Sequence, residues 1–416
     1  MSIYSALITH RTEPPKACES LANILSRIPE LIPQTWVQQR VFPTEEELPP
    51  SPWRNSLLLH LLGEPASEGM SLPFARRSRV AEHWSELDIL HLHALHGDSV
   101  SLHSLSRLQQ PILYEVHDES GLSALCQHSG KCKQYLWHCR HCPRCRFPSL
   151  VERIFRYKQA QFAALHRLIL ITPSHKRQHE VRRSPMFAGR EVRHIGIALD
   201  CEQLHAHHRI DCKEERDIHP HQRVIAFRCS GDAKDWKEHE EPIIQALCHQ
   251  LHEAGYLALH IIILGQNACP ALPYPCHSYS PTKDSAKARA RLYSSIDILI
   301  QLSEREEDER HALEAMACQV PIITHRRGNM SEYVENKERG ISMSGKPELN
   351  IEVLLAHLKT LLHAPMLRSH YGLKARQYIE QEHEISFITA LYRQLYHELT
   401  EGTNQDACAT AGRADA

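Results

Sequence analysis

The sequence predicts an α/β fold in which two doubly wound, Rossmann-like domains face a central cleft. Three observations support this fold class. The chain has 416 residues, which is enough for two hydrophobic cores at about 100 to 200 residues per domain. Short apolar runs alternate with longer amphipathic stretches, a pattern typical of parallel sheets covered by helices on both faces. A polar segment without apolar periodicity, 201–222, separates two sets of such runs and is the predicted linker.

The first set of apolar runs predicts the strands of an N-terminal domain. Each run ends in a polar or turn-forming residue, as expected for a buried strand that opens into a loop. The runs are 5–10, 88–96, 111–118 and 167–174. We therefore expect a Rossmann-like domain over 1–200, with a Cys-rich insertion at 126–145.

The second set of apolar runs predicts another sheet. These runs are 223–231, 258–266, 295–303 and 319–328. A helical pattern at 240–255 lies between the first two and is closed by Gly255 in the position of a helix C-cap. We expect a second Rossmann-like domain over 223–370 and C-terminal helices over 371–400. The segment 401–416 is small and polar enough to predict a flexible tail.

The charge balance excludes several classes of function. Lys and Arg total 48 and Asp and Glu total 50, so the formal net charge is −2. Such a chain has no overall field that would attract nucleic acid, and any phosphate site must be local. No stretch reaches the roughly 18 to 20 apolar residues of a membrane span, and the N-terminus lacks the order of a signal peptide. We therefore expect a cytoplasmic protein.

Two carboxylates in the segment 303–335 are the main candidates for ligand binding. Glu306 and Glu314 stand eight positions apart. A glutamate in the first turn of a helix beside a strand end can accept hydrogen bonds from both hydroxyls of a ribose. A second carboxylate in the preceding loop can bind sugar hydroxyls, and backbone amides at the helix start would face an anionic diphosphate. Taken alone, the acidic run 304–309 is more typical of a solvated loop.

This segment resembles the donor-binding region of family 4 glycosyltransferases. In that family two glutamates stand at the same spacing, and the second begins a Glu-Ala-hydrophobic-Ala-Cys-Gly helix that leads to a strand and a glycine, here Gly328. The resemblance implies that Glu314 binds the nucleotide ribose and that Glu306 contacts the donor sugar. It also implies that Ala315 and Gly328 belong to the donor site. Gln319 stands where the family has glycine, so the helix end is expected to differ.

A histidine at a strand end is the candidate catalytic residue of the first domain. His117 and Asp118 end the run 111–118 and precede Gly121, as in the strand-ending His-Asp of the same family. The resemblance implies that His117 contacts the donor sugar or positions the acceptor. Both roles suit a ring that can donate and accept hydrogen bonds near neutral pH. A lone histidine on a strand is more often structural, but the position at the strand end favours a functional role.

Three further histidines lie upstream, in the run 91–97. They resemble a strand of the family in which the histidines mostly support the fold. Alternation along a strand puts His91 and His93 on one face, with His96 on the opposite face or in the loop. This arrangement does not favour a metal site built from all three.

Cysteines are concentrated in one part of the first domain. Cys126, Cys132, Cys139, Cys142 and Cys145 fall within twenty residues, and the first four resemble a run that follows the His-Asp motif in colanic-acid-type glycosyltransferases. Four thiolates can form a tetrahedral zinc site in a reducing cytosol, and a Cys-x-x-Cys pair is the usual half-site. We expect a structural zinc on Cys126, Cys132, Cys139 and Cys142, or a conditional disulfide. Cys145 makes the ligand set ambiguous.

Basic residues after the run 223–231 are candidates for binding the donor diphosphate. The segment offers Arg228, Lys234 and Lys237. Such side chains stabilise the negative charge that develops on a leaving phosphate. Similarity to the Lys-Gly of the family favours Lys237, with Glu238 in place of the glycine.

Two departures from the family lie in the first domain. Pro14 and Pro15 stand in a loop that is usually rich in glycine, which removes amide donors and stiffens the turn. The usual Asn-Gly-hydrophobic-Asp motif appears as 195–197, with Asp200 displaced. These changes predict an altered acceptor site or weakened catalysis.

Together these features predict the GT-B architecture, with an N-terminal acceptor domain and a C-terminal nucleotide-sugar-binding domain. The resemblance implies a retaining glycosyltransferase that moves a sugar from a UDP- or GDP-sugar to a lipid-linked or growing saccharide in bacterial exopolysaccharide biosynthesis. No catalytic metal is expected, because basic side chains and helix ends hold the diphosphate in such enzymes. A location at the periphery of the inner membrane would follow from a lipid-linked acceptor.

Three other functions stay open. The altered first loop is compatible with a non-catalytic relative that binds sugar nucleotide or a partner enzyme in an assembly complex. A nucleotide-sugar epimerase of the same fold would give an epimerised product without an acceptor. A zinc-dependent interaction module would use the cysteine cluster as its main surface.

Overall fold

The computed structural model divides the chain into two compact units, Met1–Gly196 with Ile388–Ala416, and Ile197–Phe387. The residues that it describes are 3–9, 24–29, 31–37, 87–93, 102–126, 132–229, 236–265, 269–280, 284–302, 306–325, 329–344 and 351–414. No helix in these ranges is long and apolar enough to cross a membrane.

Six parallel strands form the sheet of the first unit in the described part of the chain. They are β1 (Ile3–Thr9), β2 (Leu31–Val37), β3 (Ile89–Leu92), β4 (Ile112–Glu115), β5 (Leu168–Thr172) and β6 (Glu191–His194). Their spatial order is β2-β1-β3-β4-β5-β6, and neighbouring strands are parallel. Parallel strands bring their carboxyl ends to one edge of the sheet, where ligands of doubly wound folds bind.

Helices pack against this sheet. They are α1 (Leu102–Leu105), α2 (Pro148–Ala163) and α3 (His175–Arg183), with short 3₁₀ turns at Gln134–Trp137 and Pro185–Phe187. Pro148 fits the first turn of α2 because its missing N–H would have no intrahelical partner there. Val151, Ile154, Phe155 and Phe162 recur at helical spacing and are buried in the core of the first unit.

The second unit repeats the architecture. Its described strands are β7 (Arg223–Arg228), β8 (Leu259–Leu264), β9 (Cys276–Tyr279), β10 (Ile298–Gln301), β11 (Ile322–His325) and β12 (Gly340–Met343). They form a parallel sheet in the order β12-β11-β10-β7-β8-β9. Separate hydrophobic clusters cover its two faces. The predicted fold of two doubly wound α/β domains is therefore confirmed.

The helices of the second unit cover both faces of its sheet. They are α4 (Arg209–Glu214), α5 (Glu241–Glu253), α6 (Ala286–Ser294), α7 (Glu306–Ala317), α8 (Met330–Tyr333), α9 (Ile351–His363) and α10 (Pro365–Glu382). Gly255 follows α5 with a φ of +84°, a left-handed conformation typical of a residue that ends a helix. The predicted C-cap is thus confirmed.

The domain boundaries differ from the predicted ones. The segment 201–222, predicted as a linker, lies in the second unit. Its helix α4 is held by buried Asp297, whose carboxylate accepts hydrogen bonds from Lys213 Nζ at 2.8 Å and from the backbone N–H of Val224 at 2.9 Å. The last helix, α11 (Ile385–Ala414), returns the chain to the first unit. The segment 401–416, predicted as a flexible tail, is therefore helical as far as Ala414.

Candidate functional site

The carboxyl edge of the second sheet carries a row of polar side chains. Arg228, Gln301, Thr324 and Ser342 lie side by side in the registers of β7, β10, β11 and β12. Residues that are neighbours in register share one face of a parallel sheet. Each of the four is at most 7% exposed. A buried polar row at this edge is typical of a ligand site in doubly wound sheets.

Arg228 is held at this edge by the neighbouring strand. Its Nη1 donates a hydrogen bond to the carbonyl of Leu264 at 3.0 Å. Gly265 follows with a φ of +106°, and a Cβ there would overlap Nη1 of Arg228 and lie 2.6 Å from the carbonyl oxygen of Cys229. Glycine is thus required both for the backbone conformation and for the space of the guanidinium. The predicted phosphate ligand Arg228 is a buried cation in this row.

Glu314, the predicted ribose ligand, lies in a dense charged cluster. Its carboxylate accepts two hydrogen bonds from Arg289, Nε to Oε2 at 2.8 Å and Nη2 to Oε1 at 2.9 Å. Tyr293 donates to Oε2 at 3.3 Å, and Arg310 Nε donates to Oε1 at 3.3 Å. His311 Nδ1 lies 3.5 Å from Oε2 and 3.0 Å from the hydroxyl of Tyr293. The side chain of Glu314 has no solvent exposure.

The electrostatics of this cluster keep Glu314 ionised. Burial alone would raise the pKa of its carboxyl group. The hydrogen bonds from His311 and Arg289 and the charge of Arg310 outweigh burial, so the pKa lies well below its ordinary value of 4.5. The role of Glu314 in ribose binding stays a prediction. A ribose that binds this carboxylate would have to share the carboxylate with Arg289 or displace the guanidinium of Arg289.

The same cluster has more positive than negative charge. Burial and the charge of Glu314 raise the pKa of Tyr293 well above its ordinary value, and the charges of Arg289 and Arg228 act against them. Arg289 and Arg310 carry two positive charges against the one of Glu314. This arrangement suits an anion such as a diphosphate.

The predicted start of the helix at Glu314 is wrong. Helix α7 begins at Glu306, so Glu314 lies in its last turn. The amides that the helix dipole makes favourable for an anion are those after Glu306. Ala315 is fully buried in the core, and its carbonyl accepts from the backbone N–H groups of Cys318 and Val320, each at 3.0 Å. The side chain of Glu306 and all of Gly328 lie outside the described residues.

A second carboxylate of α7 was missed because the sequence places it in an acidic run. Glu309 is 2% exposed and accepts hydrogen bonds from Asn329, from the backbone N–H at 3.1 Å and from Nδ2 at 3.0 Å. It fixes the start of α8 relative to α7. The helical periodicity of α7 could have indicated that Glu309 is buried, because Ala312 and Leu313 follow it three and four residues later on the apolar face of the helix.

The other predicted diphosphate ligand, Lys237, lies on the surface. Its side chain is 69% exposed, and Nζ lies 2.7 Å from Oε2 of Glu241 in the first turn of α5. Such an exposed pair is easily rearranged, because it contributes about 0 to 1 kcal/mol. Lys234 lies outside the described residues. The role of Lys237 stays a prediction.

In the first unit, His117 belongs to a cluster centred on Glu115. Nε2 of His117 and Nδ1 of His93 each lie 2.7 Å from Oε2 of Glu115, and 3.2 Å from each other. Tyr392 donates to Oε1 of Glu115, and Nε2 of His91 lies 3.2 Å from the same oxygen. The predicted common face of His91 and His93 is therefore confirmed. His96 lies outside the described residues.

Glu115 is a site residue that the sequence analysis missed. Burial would raise the pKa of its carboxyl group, but the charge of His93 and the hydrogen bonds from His117 and His93 lower it well below its ordinary value. Burial lowers the pKa of His93, and the charge of His117 lowers it further. The spacing could have shown the cluster, because Glu115 and His117 are two residues apart on an extended segment.

The four predicted zinc ligands line one small cavity. Cys126, Cys132, Cys139 and Cys142 surround a volume of about 20 Å³, enough for a single water-sized atom. Among the described residues, however, no three of these cysteines have sulfur atoms that all lie within 4.8 Å of one another. All are free thiols. The four cysteines therefore line one cavity, but their sulfur atoms are not grouped as closely as in a formed zinc site, and the zinc ligand set stays a prediction.

The thiols of the cluster differ strongly in acidity. A hydrogen bond with Cys145 lowers the pKa of Cys142 to about 6. Burial raises the pKa of Cys139 to about 12. The Cys142-Pro143-Arg144-Cys145 segment therefore holds one thiolate at neutral pH.

Part of the second unit matches a model of a known family. Residues 280–378 match the family model described as Glycosyl transferases group 1. The match includes helices α6 and α7, and hence Arg289, Arg310 and Glu314. It confirms the prediction of a glycosyltransferase. No curated protein matches the chain at a significant level.

Solved structures with the same fold cover nearly the whole chain. Sucrose-phosphate synthase from Thermosynechococcus elongatus has 13% identity and a TM-score of 0.64, over 96% of this chain and 100% of that one. A glycosyltransferase from Rickettsia africae has 10% identity and a TM-score of 0.63, over 96% and 98%. HepE from Anabaena, in complex with UDP and glucose, has 12% identity and a TM-score of 0.59, over 95% and 100%.

The chain has the fold of GT-B glycosyltransferases. At these identities the structural similarity establishes the fold, and the family model adds sugar transfer in general. The predicted similarity to colanic-acid enzymes stays a prediction.

Proposed function

We propose that the protein is a retaining glycosyltransferase that transfers a sugar from a UDP- or GDP-sugar to a lipid-linked or growing saccharide in bacterial exopolysaccharide biosynthesis. The observation that carries this proposal is the buried cluster in which Arg289 and Arg310 surround Glu314 in the second unit. Three of its charged residues lie in the segment that matches the group 1 family model. Structures of the similar HepE with UDP and with UDP-glucose support a nucleotide sugar as the donor.

The donor diphosphate is assigned to Arg228, with Lys237 as a further cation. Ribose hydroxyls at Glu314 would take over acceptor positions that Arg289 now occupies. The displaced guanidinium of Arg289 would then form an ion pair with the diphosphate. Basic side chains thus supply the stabilisation of the leaving group, because charge develops there in the transition state.

The sugar end of the donor is assigned to Glu306 and Gly328, while Ala315 only supports the neighbouring Glu314 from the core. His117 would contact the donor sugar or position the acceptor hydroxyl. The proposed mechanism is a front-face displacement in which the leaving phosphate helps to activate that hydroxyl. A lipid-linked acceptor would place the enzyme at the periphery of the inner membrane, on the cytoplasmic side.

Calorimetric binding of UDP, GDP and ADP tests the proposal. One nucleotide should bind saturably, and Glu314→Gln should weaken it by about 1 to 3 kcal/mol, the cost of leaving buried hydrogen-bonding groups unpaired. Glu380→Gln is the matched control, because its carboxylate also pairs with an arginine, Arg376, but is 50% exposed. Circular dichroism must show that both variants fold. No binding of any nucleotide at millimolar concentration would instead favour the non-catalytic relative.

The cysteine cluster is proposed as a structural element beside this activity. A zinc ion on Cys126, Cys132, Cys139 and Cys142 requires the sulfurs to move closer around their cavity. Zinc analysis of the purified protein, compared with its Cys132→Ser variant, decides between zinc and free thiols. A zinc content that does not change in the variant would exclude this ligand set.

A further inference from the structure

A carboxylate oxygen and two imidazole nitrogens converge in the first unit. Nδ1 of His93, Nε2 of His117 and Oε2 of Glu115 are separated by 2.7, 2.7 and 3.2 Å. They form one of the groups of potential ligand atoms that lie close enough together to hold a metal ion. We infer that His93, Glu115 and His117 form a binding site for a divalent transition-metal ion.

The three distances suit the size of such an ion. Zinc lies about 2.0 to 2.2 Å from imidazole nitrogens and carboxylate oxygens. An ion about 2.1 Å from all three atoms would lie about 1.3 Å outside the plane that they define. The ligands would then occupy one side of the ion and leave other positions open, as in sites with three protein ligands. Two imidazoles with one carboxylate favour zinc, iron, cobalt or nickel over magnesium and calcium.

The carboxylate of Glu115 is oriented for this role by a hydrogen bond to its other oxygen and by a neighbouring imidazole. Tyr392 donates to Oε1, and Nε2 of His91 lies 3.2 Å away. Nδ1 of His91 lies 2.9 Å from the hydroxyl of Tyr396. Oε2 is therefore left to face His93 and His117. Partners of this kind fix the orientation of ligands in metal sites.

The charge balance around Glu115 also favours a cation. Glu115 is 5% exposed, and in the part of the chain that the structure describes its recorded ion pairs are all with histidines. A divalent ion would place positive charge directly beside this buried carboxylate.

One side of the cluster is accessible. The side chain of His117 is 31% exposed, whereas those of His93 and Glu115 are 3% and 6% exposed. An ion can reach the three atoms from the side of His117, and its open positions would face solvent there. The inference does not depend on sugar transfer. It gives His117 a metal ion to bind, whereas the family resemblance implies a role for His117 without a metal.

Titration of the metal-free, full-length protein with Co²⁺ tests the inference. One equivalent should bind with weak d–d absorption, and both His117→Ala and His93→Gln should lose it. Tyr392→Phe should weaken binding by about 10- to 100-fold, because a partner that orients the carboxylate is lost. The matched control is the double change His205→Ala and His207→Ala, which removes two neighbouring rings of the second unit, 4.5 Å apart at their centroids.

Two readouts separate this site from others in the chain. Cobalt on the cysteine cluster would show strong thiolate charge-transfer absorption, which nitrogen and oxygen ligands do not give. His117→Ala decides the matter if His93→Gln fails to fold, because the ring of His117 is partly exposed. The inference is overturned if His117→Ala binds cobalt like the wild type, or if the bound cobalt shows thiolate absorption alone. Nucleotide binding by the second unit can succeed or fail independently of either result.

Discussion

Replacing Glu314 by glutamine tests whether the arginine cluster is built as described. The change keeps the size of the side chain and removes its charge. Arg289 is 8% exposed, and its remaining recorded hydrogen bond is to the carbonyl of Asp284 at 2.6 Å. The variant therefore leaves a buried guanidinium without its counter-charge, and Arg310 loses a partner as well.

The expected loss of stability is large. Breaking a buried ion pair by changing one partner costs about 3 to 5 kcal/mol, whereas an exposed pair contributes about 0 to 1 kcal/mol. Glu314→Gln should thus lower the free energy of unfolding by about 3 to 5 kcal/mol. Replacing both partners, Arg289→Met with Glu314→Leu, should recover much of the loss, because no buried charge of the pair remains uncompensated.

Urea unfolding followed by circular dichroism measures these differences. Glu380→Gln serves as the control and should cost less than about 1 kcal/mol. The folded pKa of Glu314 is lowered, so its contribution is present above the ordinary value of 4.5 and is lost as the pH falls towards the folded pKa. The difference between wild type and Glu314→Gln should therefore shrink below pH 4.5. Equal stability of Glu314→Gln and the control at pH 7 would refute the buried pair.

Three further changes test other parts of the molecule. Gly265→Ala should cost about 1 to 3 kcal/mol of stability, because its φ is +106° and a Cβ would overlap Arg228; a urea midpoint equal to that of the wild type would contradict this. The rate of alkylation of Cys142 by iodoacetamide should rise with pH, with a midpoint near pH 6, since the hydrogen bond with Cys145 lowers the pKa of Cys142 to about 6. Peptide mass spectrometry measures the labelling, and a Cys142 that stays unlabelled at pH 7 would contradict this prediction. Asp297→Asn should destabilise the second unit by about 3 to 5 kcal/mol, because the buried carboxylate of Asp297 binds three cations and a backbone amide. Hydrogen exchange in β7 and α4 measures this change, and unchanged exchange rates would contradict the prediction.

The sequence predicts the central strands of both sheets and misses their edges. The runs that predict β4, β5, β7 and β8 are nearly continuous apolar segments, because both faces of those strands are covered. The strands without a prediction are β2, β6, β9 and β12, which lie at the ends of the two sheets. β6 and β9 have partly exposed residues, so their sequences lack the apolar run that marks a central strand.

The site was predictable where it depends on local spacing. Alternation along an extended segment brings His91 and His93 to one face, and the same period relates Glu115 to His117. Arg289 could not be found in this way. It lies 25 residues before Glu314 in a helix that carries two other basic residues, Lys287 and Arg291, and only the packing of α6 on α7 selects it.

The position of Arg289 changes what donor binding would require in this chain. A carboxylate in water already has hydrogen bonds to solvent, so hydrogen bonds from a ribose would add little net binding free energy. At Glu314, both oxygens already accept hydrogen bonds from a buried guanidinium, so a ribose must either share the carboxylate with Arg289 or displace it. Such an exchange is favourable only if the displaced guanidinium finds another anion, and the diphosphate attached to the ribose would supply it. Affinity for a nucleoside alone should therefore be far weaker than for the nucleoside diphosphate, because the nucleoside offers no new partner to the arginine.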